Sequence, residues 1–317
     1  MFDFDRLIER RGTHASKWDN MQKLSGIDPA DGIPMWVADM DFGAPPGVVE
    51  ELRAFVDRGV YGYYADTGSW AEALAAWTSK RHGWTPEPGW VSPTPGIVSG
   101  LGLIMQALSE PGDEIVVFPP AYHAFRRIIA NNNRRILDAE LEEQQGRYVM
   151  NLDALGEKLT ERTKIVFFCS PHNPGGTVWG IEEIRALAQF CADRDLILVS
   201  DEIHCDLVFE GAKHTPTIVA APEVKDRLIT CVAATKTFNL AGAHVGACVT
   251  SNPDFKARLD QRIAASSLAS YNAFGMIATE AAWRTGEAWL DELLPYLQAN
   301  RDLLHQGICE AVPGARA

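Results

Sequence analysis

Apolar residues are grouped in short runs from Trp90 onward, and polar or turn-forming residues separate the runs. Runs of about four to eight apolar residues are typical of strands that are buried on both faces. They predict strands at 114–118, 135–141, 164–169, 196–199, 227–233 and 243–250. Stretches with helical spacing predict helices at 97–108, 123–130, 153–161 and 182–193. Because strands and helices alternate, we expect an α/β fold with a mostly parallel sheet flanked by helices.

The chain on either side of this region has other patterns. Residues 1–45 are rich in Gly, Pro, Asp and Trp, which predicts an irregular arm, either a loop across a site or a packing loop. Helical spacing predicts helices at 46–58, at 69–82 with Ser69 as N-cap, and at 288–309. We expect three parts: an arm and small-domain segment (1–45), a large domain (46–285) and the start of a C-terminal small domain (286–317).

Composition and charge exclude several classes of protein. The 317 residues are 46% hydrophobic and 22% charged, as is typical of a soluble globular protein. The net charge of −13 would repel nucleic-acid phosphates. The sequence shows no signal peptide and no apolar run near the roughly 20 residues of a membrane helix. The six cysteines form no C-x-x-C pair, so we expect reduced thiols in a cytoplasmic protein without nucleic-acid or membrane partners.

Three tyrosines lie within four residues, at Tyr61, Tyr63 and Tyr64. So dense a group cannot all belong to the core. It predicts an exposed aromatic cluster at an interface or at the edge of a ligand site.

A lysine, Lys236, follows the apolar run 228–234 and is surrounded by small and apolar residues. Burial of an ammonium group is costly unless the charge is paired or neutralised. Burial also lowers the pKa of a lysine, so that its amine becomes a nucleophile able to form a Schiff base. The alternative is an ordinary surface lysine just past the end of a strand.

Other polar groups follow the strands, where parallel sheets bind their ligands. Gly96, Ile97 and Val98 open a helix and could hold a phosphate on their N–H groups, although many helices begin after a Pro-Gly turn. Tyr122 could stack on a planar ring or be an ordinary half-buried tyrosine. Asn173, between two prolines, could donate its amide to an anionic oxygen or serve only as a turn residue.

Asp201 directly follows four apolar residues, and a carboxylate in that position needs a partner. His204 could be a second polar contact, or it could bind a metal together with Asp201, Cys205 and Asp206. We expect no metal, because no second ligand cluster with recognised spacing is present.

A lysine, a buried aspartate, an asparagine, a stacking tyrosine and a phosphate-binding turn together suit pyridoxal 5′-phosphate. Eight motifs occur in the order of a known family: F-D-F (2–4), W-V-A-D-M-D-F (36–42), G-Y (62–63), T-P-G (94–96), P-P-A-Y (119–122), S-P-H-N-P-G-G (170–176), S-D-E-I-H (200–204) and T-K-T-F-N-L-A-G (235–242). On these motifs the chain resembles the fold-type I pyridoxal-phosphate enzymes, the aspartate aminotransferase superfamily of class I/II. Within it, the chain looks like the cystathionine β-lyase or C–S lyase branch of MalY/PatB type.

The resemblance implies a mostly parallel seven-stranded sheet and a smaller α/β domain. It also implies roles for the residues that would contact the cofactor ring: Lys236 as the Schiff-base lysine, Asp201 as the partner of the pyridine nitrogen, Asn173 and His204 as contacts of the ring hydroxyl, and Tyr122 as the stacking residue. Gly96, Ile97 and Val98 would form the phosphate-binding turn, with Thr235 as an extra donor. Tyr63 would reach into the site of a neighbouring subunit. The last role implies a symmetric homodimer.

Two departures from the family pattern stand out. Aminotransferases usually carry a phosphate-binding arginine eight residues after the lysine, where this chain has His244. The arginine that clamps the substrate carboxylate is expected beyond residue 317, so we expect the sequence to be a fragment with a truncated small domain. The helix at 288–309 would then expose Leu293, Leu297, Leu304 and Ile308 and lower the solubility of the chain.

The resemblance implies a pyridoxal-phosphate-dependent C–S β-lyase that acts on cystathionine- or cysteine-type amino acids and releases thiol, pyruvate and ammonia. An aminotransferase would use the same cofactor residues and is one alternative. A cofactor-binding regulatory partner with little turnover is the other.

Overall fold

The computed structural model describes residues 2–315, so that Met1, Arg316 and Ala317, at the outer ends of the first and third expected parts, lie outside the described residues. The strands are β1 (Val91–Thr94), β2 (Glu114–Val117), β3 (Arg135–Asp138), β4 (Glu142–Gln144), β5 (Arg147–Val149), β6 (Thr163–Cys169), β7 (Ile197–Asp201), β8 (Leu228–Val232) and β9 (Gly246–Val249). The α-helices are α1 (Ser16–Asp19), α2 (Met21–Ser25), α3 (Pro46–Asp57), α4 (Gly68–His82), α5 (Ile97–Leu108), α6 (His123–Asn131), α7 (Leu152–Lys158), α8 (Ile181–Asp193), α9 (Thr217–Ala220), α10 (Ala234–Thr237), α11 (Pro253–Ala265), α12 (Ala273–Thr285) and α13 (Glu287–Ala311). Short 3-10 helices lie at Pro88–Trp90, Pro222–Arg227 and Ala241–Ala243.

The alternating region forms a seven-stranded sheet in the order β1-β9-β8-β7-β6-β2-β3. Strands β8, β7, β6, β2 and β3 are parallel, whereas β9 runs antiparallel to both of its neighbours. The expectation of a mostly parallel sheet is therefore confirmed. The register pairs Cys169 with Asp201 and Asp201 with Cys231, so the carboxyl ends of three central strands lie side by side.

The order of the strands reverses between β2 and β6. The chain proceeds from β2 to β3 on one side, and from β6 through β7 to β8 on the other. In open α/β sheets the crevice at such a reversal, outside the carboxyl ends of the strands, is where ligands bind. Tyr122 follows β2 and Asn173 follows β6, so the topology brings these two predicted site residues to the two sides of that crevice.

Both faces of the sheet are buried, as the continuous apolar strands require. On β6, Phe167 belongs to a core cluster with Leu101 and Ile104 of α5. The next residue, Phe168, points to the opposite face and packs in a second cluster with Leu187 of α8. Each of these side chains is almost fully buried, so the sheet is a rigid support for the polar groups at its edge.

The N-terminal arm packs on the last helix. A third cluster joins Trp70 of α4, Trp283 of α12 and Trp289 of α13, and Phe4 from the arm inserts into it. The Phe4 ring lies 5.7 Å from Trp289 and 5.5 Å from Tyr296, measured between ring centres. Aromatic burial of this kind holds the ends of the described chain together.

Three local predictions are wrong. Helix α4 begins at Gly68 after Thr67, and Ser69 is not its cap because its hydroxyl donates to Glu280 at 3.1 Å. The arm is not wholly irregular, since it contains α1 and α2. The predicted strand 135–141 ends at Asp138, and the unpredicted hairpin of β4 and β5 follows it.

Helix α13 differs from the expected exposed face. Leu293 is fully buried and Leu297 packs partly against the core, so the first half of the helix is covered. Leu304 and Ile308 are exposed, as expected, together with Leu303. No helix in residues 2–315 is both long enough and apolar enough to span a membrane.

Candidate active site

Lys236 lies on α10, the four-residue helix that follows β8 directly. Its side chain is half-buried, and burial lowers the pKa of its ammonium group, while the carboxylates of Asp39 and Asp201 partly oppose this effect. Within residues 2–315 its Nζ atom forms no hydrogen bond or ion pair. The alternative of a surface lysine therefore does not describe this residue, because its amine is partly desolvated and close to two carboxylates.

Asp201 is the last residue of β7 and is buried. Its Oδ1 accepts one hydrogen bond, from the Ile203 N–H at 3.2 Å, and the carboxylate forms no ion pair with any described residue. Burial raises its pKa to about 7, with a further contribution from Glu202. A buried carboxylate without a counter-ion is costly, and a protonated ring nitrogen is the kind of cation that would neutralise it.

Glu202, which sequence reasoning missed, has hydrogen-bond partners for both of its carboxylate oxygens. It accepts hydrogen bonds from the Ser200 hydroxyl and the Thr217 N–H, both at 2.9 Å, and its other oxygen lies 3.1 Å from His214 Nε2. These contacts outweigh the effect of burial and lower the pKa of Glu202. Because Ser200 and Glu202 flank Asp201, the bonds hold the backbone on both sides of Asp201 in place.

Asn173 and His204 line one cleft of about 420 Å³. Ala38 of the arm and Arg301 of α13 form other parts of its wall. Burial, together with the charge of Lys236, lowers the pKa of His204 to about 4, so its imidazole is neutral at ordinary pH. The cleft thus contains an amide and a neutral imidazole, both of which can donate a hydrogen bond to an anionic ring oxygen.

Ser170 is a further polar group at the end of β6 that sequence reasoning missed. Its Oγ is buried and has no hydrogen-bond partner within the described chain. Its backbone N–H donates to the Asp201 carbonyl at 2.9 Å, which places the two residues next to each other. Buried hydroxyl groups normally have a partner, so the Ser170 hydroxyl is an exception within the described chain.

Tyr122 caps the other side of the crevice. Its half-buried ring packs edge-on against Phe125, with 5.8 Å between ring centres. Burial and the nearby Asp201 carboxylate raise the pKa of its hydroxyl. The ring therefore lies near Asp201. Its surroundings are compatible both with a stacking residue and with an ordinary half-buried tyrosine.

Gly96 precedes α5 with a φ of +84°, a backbone conformation that favours glycine. Helix α5 begins at Ile97, so the N–H groups of Ile97 and Val98 belong to its first turn, where backbone donors have no partner within the helix. Thr235 is buried beside Lys236.

His244 stands where aminotransferases usually have a phosphate-binding arginine. Its side chain is exposed, and its backbone is in a left-handed conformation.

The N-terminal arm is tied to the lysine loop by Asn239. Its side-chain oxygen accepts from the Met40 N–H at 2.8 Å, and its amide donates to the carbonyls of Met40 and Phe42 at 2.9 and 2.8 Å. Arg10 bonds Asp39 at 2.5 Å and Asp41 at 2.7 Å. The arm is therefore a wall of the site as well as a packing loop. The sequence signal was Asn239 itself, a polar residue three positions after the lysine.

Tyr63 does not join the other candidates within one chain. Its side chain is 94% exposed, and it lines a separate open cleft of about 540 Å³ with Tyr61, Tyr271 and Phe274. Tyr64 differs, because it is half-buried and its hydroxyl donates to Glu280 at 3.4 Å.

A metal set built on Asp201 and His204 is not found. The one group of possible ligands in residues 2–315 consists of His82, Cys205 and Asp206, whose ligand atoms lie within 4.8 Å of one another. Both oxygens of Asp206 already accept hydrogen bonds from protein donors. All six cysteines are free, and Cys231 and Cys248 have their sulfur atoms 3.9 Å apart.

These surroundings fit the proposed cofactor on physical grounds. The Asp201 carboxylate has no ion-pair partner, and the amine of Lys236 has a lowered pKa. The open first turn of α5 offers N–H groups for an anion.

The fold and the site define the class of protein. The family model for aminotransferase class I and II matches residues 31–315, and the chain belongs to this family. It is 38% identical to cystathionine β-lyase PatB of Bacillus subtilis, over 94% of this chain and 77% of the relative. A putative aminotransferase of Clostridium difficile, solved with pyridoxal phosphate bound, superposes with a TM-score of 0.95 at 33% identity, over 99% of this chain and 80% of that one. Cystalysin of Treponema denticola, which contains pyridoxal 5′-phosphate, superposes at 0.93 with 31% identity, over 98% and 79%.

Proposed function

We propose that this chain is a pyridoxal-phosphate-dependent C–S β-lyase that acts on cystathionine- or cysteine-type amino acids. One observation carries the chemistry: a buried carboxylate without a counter-ion, Asp201, ends the strand next to the one that leads to the half-buried Lys236. The similarity to cystathionine β-lyase PatB over most of the chain supports the choice of reaction. The products are a thiol, pyruvate and ammonia.

The residues that would hold the cofactor follow from the site. Lys236 would bind its aldehyde carbon, Asp201 would pair with its ring nitrogen, and Asn173 and His204 would bond its ring oxygen. Tyr122 would stack on the ring, and Ile97, Val98 and Thr235 would bind its phosphate. Gly96 would shape this turn, since its own N–H donates to the Thr94 carbonyl at 2.8 Å. When bound, the cofactor supplies an electron sink that stabilises negative charge at the Cα atom of the substrate.

Lys236 moves the proton in the proposed reaction. Because burial lowers its pKa, a larger fraction of its Nζ is neutral and able to accept the Cα proton of the substrate. Asp201 would hold a proton on the ring nitrogen of the bound cofactor, because a buried carboxylate favours a cationic partner. Ala38 of the arm lines the cleft that contains Asn173 and His204, so the arm would form one wall of the space beside the cofactor ring.

We further propose a cytoplasmic homodimer in which Tyr63 reaches the site of the partner subunit. The support is the exposed aromatic surface formed by Tyr61, Tyr63 and Phe274, since solvent-exposed aromatic groups of this size are usually interaction sites. The division of the chain into 1–45, 46–285 and 286–317 is part of the same proposal, supported by the packing of Phe4 on α13.

A product assay tests the reaction. The protein is incubated with cystathionine and pyridoxal phosphate, and both thiol and pyruvate release and amino transfer to a keto acid are measured. Thiol and pyruvate in equal amounts are expected, and Lys236→Ala should abolish both. Amino transfer without thiol release would favour an aminotransferase, and cofactor binding without either product would favour a regulatory partner.

A further inference from the structure

A further buried carboxylate, Asp206, bonds the residue next to Lys236 and takes no part in the proposed chemistry. Asp206 accepts hydrogen bonds from three side chains. His82 Nε2 lies 2.7 Å from Oδ1, Thr237 Oγ1 donates to Oδ2 at 2.7 Å, and Trp77 Nε1 lies 3.2 and 3.1 Å from the two oxygens. The Asp206 side chain is only 3% exposed.

These bonds make Asp206 unlike Asp201. Full burial of a carboxylate is costly, but donors on both oxygens reverse the balance and lower the pKa of Asp206. The group thus keeps its charge inside the protein. Its donors come from α4 (Trp77 and His82) and α10 (Thr237), so one carboxylate connects two helices to the loop after β7.

Helix α10 needs such an anchor. It has four residues, and a helix of one turn is not stable by itself, so tertiary contacts set its orientation. Thr237 is fully buried, and its hydroxyl bond to Asp206 is the side-chain hydrogen bond that ties this helix to the rest of the described chain. Lys236 is the neighbouring residue, so a shift of Thr237 moves the base of the lysine side chain.

We propose that Asp206 is a positioning residue for Lys236, acting through Thr237, with His82 and Trp77 holding its carboxylate in place. The inference rests on the proposed function of Lys236. The contact of the His82 ring with His214, at 5.5 Å between centres, joins this network to the Glu202 bonds around Asp201. Lys236 is thereby supported by the buried carboxylate of Asp206, and Asp201 is supported by that of Glu202.

Metal binding is a weaker interpretation of the same residues. His82, Cys205 and Asp206 lie close enough to share an ion. An ion would have to displace the hydrogen bonds from His82 and Thr237, which already satisfy Asp206. Burial and the carboxylates of Asp206 and Glu202 also raise the pKa of the Cys205 thiol, so that it is protonated.

The test compares Thr237→Val, which removes the hydroxyl at nearly equal volume, with Thr237→Ser, which keeps it. Thr78→Val is the matched control, because Thr78 is equally buried on α4 but bonds only carbonyls of its own helix. Two quantities are measured: kcat and KM for thiol release, and the pH dependence of Lys236 acetylation in the cofactor-free protein, read by peptide mass spectrometry.

Thr237→Val should lower kcat about tenfold with little change in KM, since misplacement of a catalytic group by a fraction of an ångström costs this much or more. Its Lys236 should acetylate with a pH midpoint nearer that of a solvated lysine, because a loosened α10 lets water reach the amine. Thr237→Ser should restore both readouts, and Thr78→Val should change neither.

A Thr237→Val protein with the wild-type kcat and acetylation profile would overturn the inference, as would a serine variant no better than valine. Trp77→Phe, which removes one donor and retains an aromatic ring, is the second variant should Thr237→Val not fold. It should produce a smaller change in the same direction, and no change would equally contradict the inference. Retained lyase activity in Lys236→Ala would instead disprove the proposed function, so the two failures are distinguishable.

Discussion

Three buried carboxylates within six residues have two different electrostatic states. Glu202 and Asp206 are satisfied by several donors, which lower the pKa of each. Asp201, in contrast, has one backbone donor and a pKa raised to about 7. The difference lies in the partners, since all three side chains are buried. The protein therefore stores unfavourable burial energy at the one carboxylate that a cationic ligand can neutralise.

The first prediction concerns the stability of the cofactor-free protein. The folded pKa of Asp201 is about 7, against about 3.9 for an unfolded aspartate. The folded state thus binds the proton more tightly, so the stability cost is absent below about pH 4, grows between pH 4 and 7, and is complete above pH 7. Asp201→Asn should remove it. The variant's advantage in unfolding free energy should grow by about 2.5 kcal/mol between pH 5 and pH 8.

Urea unfolding at the two pH values measures this difference. Asp153→Asn is the control, because Asp153 is exposed on α7 and should show no such growth between the two pH values. An advantage of Asp201→Asn that is equal at pH 5 and pH 8 would show that Asp201 is ionised throughout. Addition of pyridoxal phosphate should reverse the order of stability, since the cofactor compensates the wild-type carboxylate.

At the scale of elements, rigid and marginal segments meet at the site. The strands supply Asp201 and Ser170 from a sheet that is buried on both faces. Lys236, by contrast, lies on the single turn of α10, and the arm around Met40 has no strand or helix of its own. Side-chain hydrogen bonds therefore fix the positions of these segments, whereas backbone hydrogen bonds between strands fix the sheet. Asp206 holds α10, and Asn239 holds the arm.

The second prediction concerns the arm. Asn239→Ala removes the three hydrogen bonds to Met40 and Phe42. Because each such bond contributes about 1 kcal/mol, we expect the free energy of unfolding to fall by about 2–3 kcal/mol. Hydrogen exchange of the arm between residues 36 and 42 should become faster, while exchange in β6 and β7 should stay unchanged.

Asn133→Ala is a matched control for the backbone. Asn133 has a φ of +58°, close to the +57° of Asn239, but lies exposed on the surface. Both alanine variants carry the same left-handed strain, so only Asn239→Ala should loosen the arm. Equal effects of the two changes on arm exchange would mean that conformation, and not the side-chain bonds, holds it.

At the scale of the whole molecule, two of the exposed apolar surfaces in residues 2–315 lead to predictions about association. One is the aromatic surface around Tyr63, where Phe274 packs on Phe55 and Tyr61 at 5.0 and 5.7 Å. The other is the second half of α13, where Leu303 and Leu304 are exposed. The first lies among packed aromatic rings and suits a specific contact, whereas the second is a row of aliphatic side chains on a helix.

The third prediction concerns the aromatic surface. If Tyr63 serves the site of a partner subunit, Tyr63→Phe and Lys236→Ala proteins should each be nearly inactive alone. Subunit exchange between them should create dimers with one intact site and recover up to about one quarter of the wild-type activity, as random pairing predicts. Thiol release after mixing is the measurement. No recovery, with exchange verified by mass, would show that each chain builds its own site.

The fourth prediction concerns α13. Leu304→Gln with Ile308→Gln should reduce aggregation of the chain, seen as lower light scattering at equal concentration, because both side chains are exposed on one face of the helix. The unfolding temperature should hardly change. Leu293→Gln, on the buried half, should instead lower stability by several kcal/mol. Unchanged scattering in the double variant would show that this face does not drive association.

Sequence alone determined the sheet and the chemical groups at its edge. Apolar runs of strand length located β6, β7 and β8, because burial on both faces leaves a signal that is local in the chain. The same local signal places Asn173, Asp201 and Lys236 at or shortly after the ends of strands, and the rule for parallel sheets predicts that such groups lie at one edge of the sheet. Element ends were less certain: the predicted Ser69 cap was wrong because the hydroxyl has a distant partner, Glu280.

Only the tertiary structure decided which of the buried carboxylates are satisfied by several hydrogen-bond donors and which one is not. Asp201, Glu202 and Asp206 look alike in the sequence, as acidic residues after an apolar strand. Their partners lie far away along the chain: His82 lies 124 residues from Asp206, and Thr237 lies 31. A hydrogen bond depends on distances of a few tenths of an ångström between such groups, and no local pattern records it. The electrostatic difference that makes Asp201 available to a ligand therefore exists only once the chain has folded.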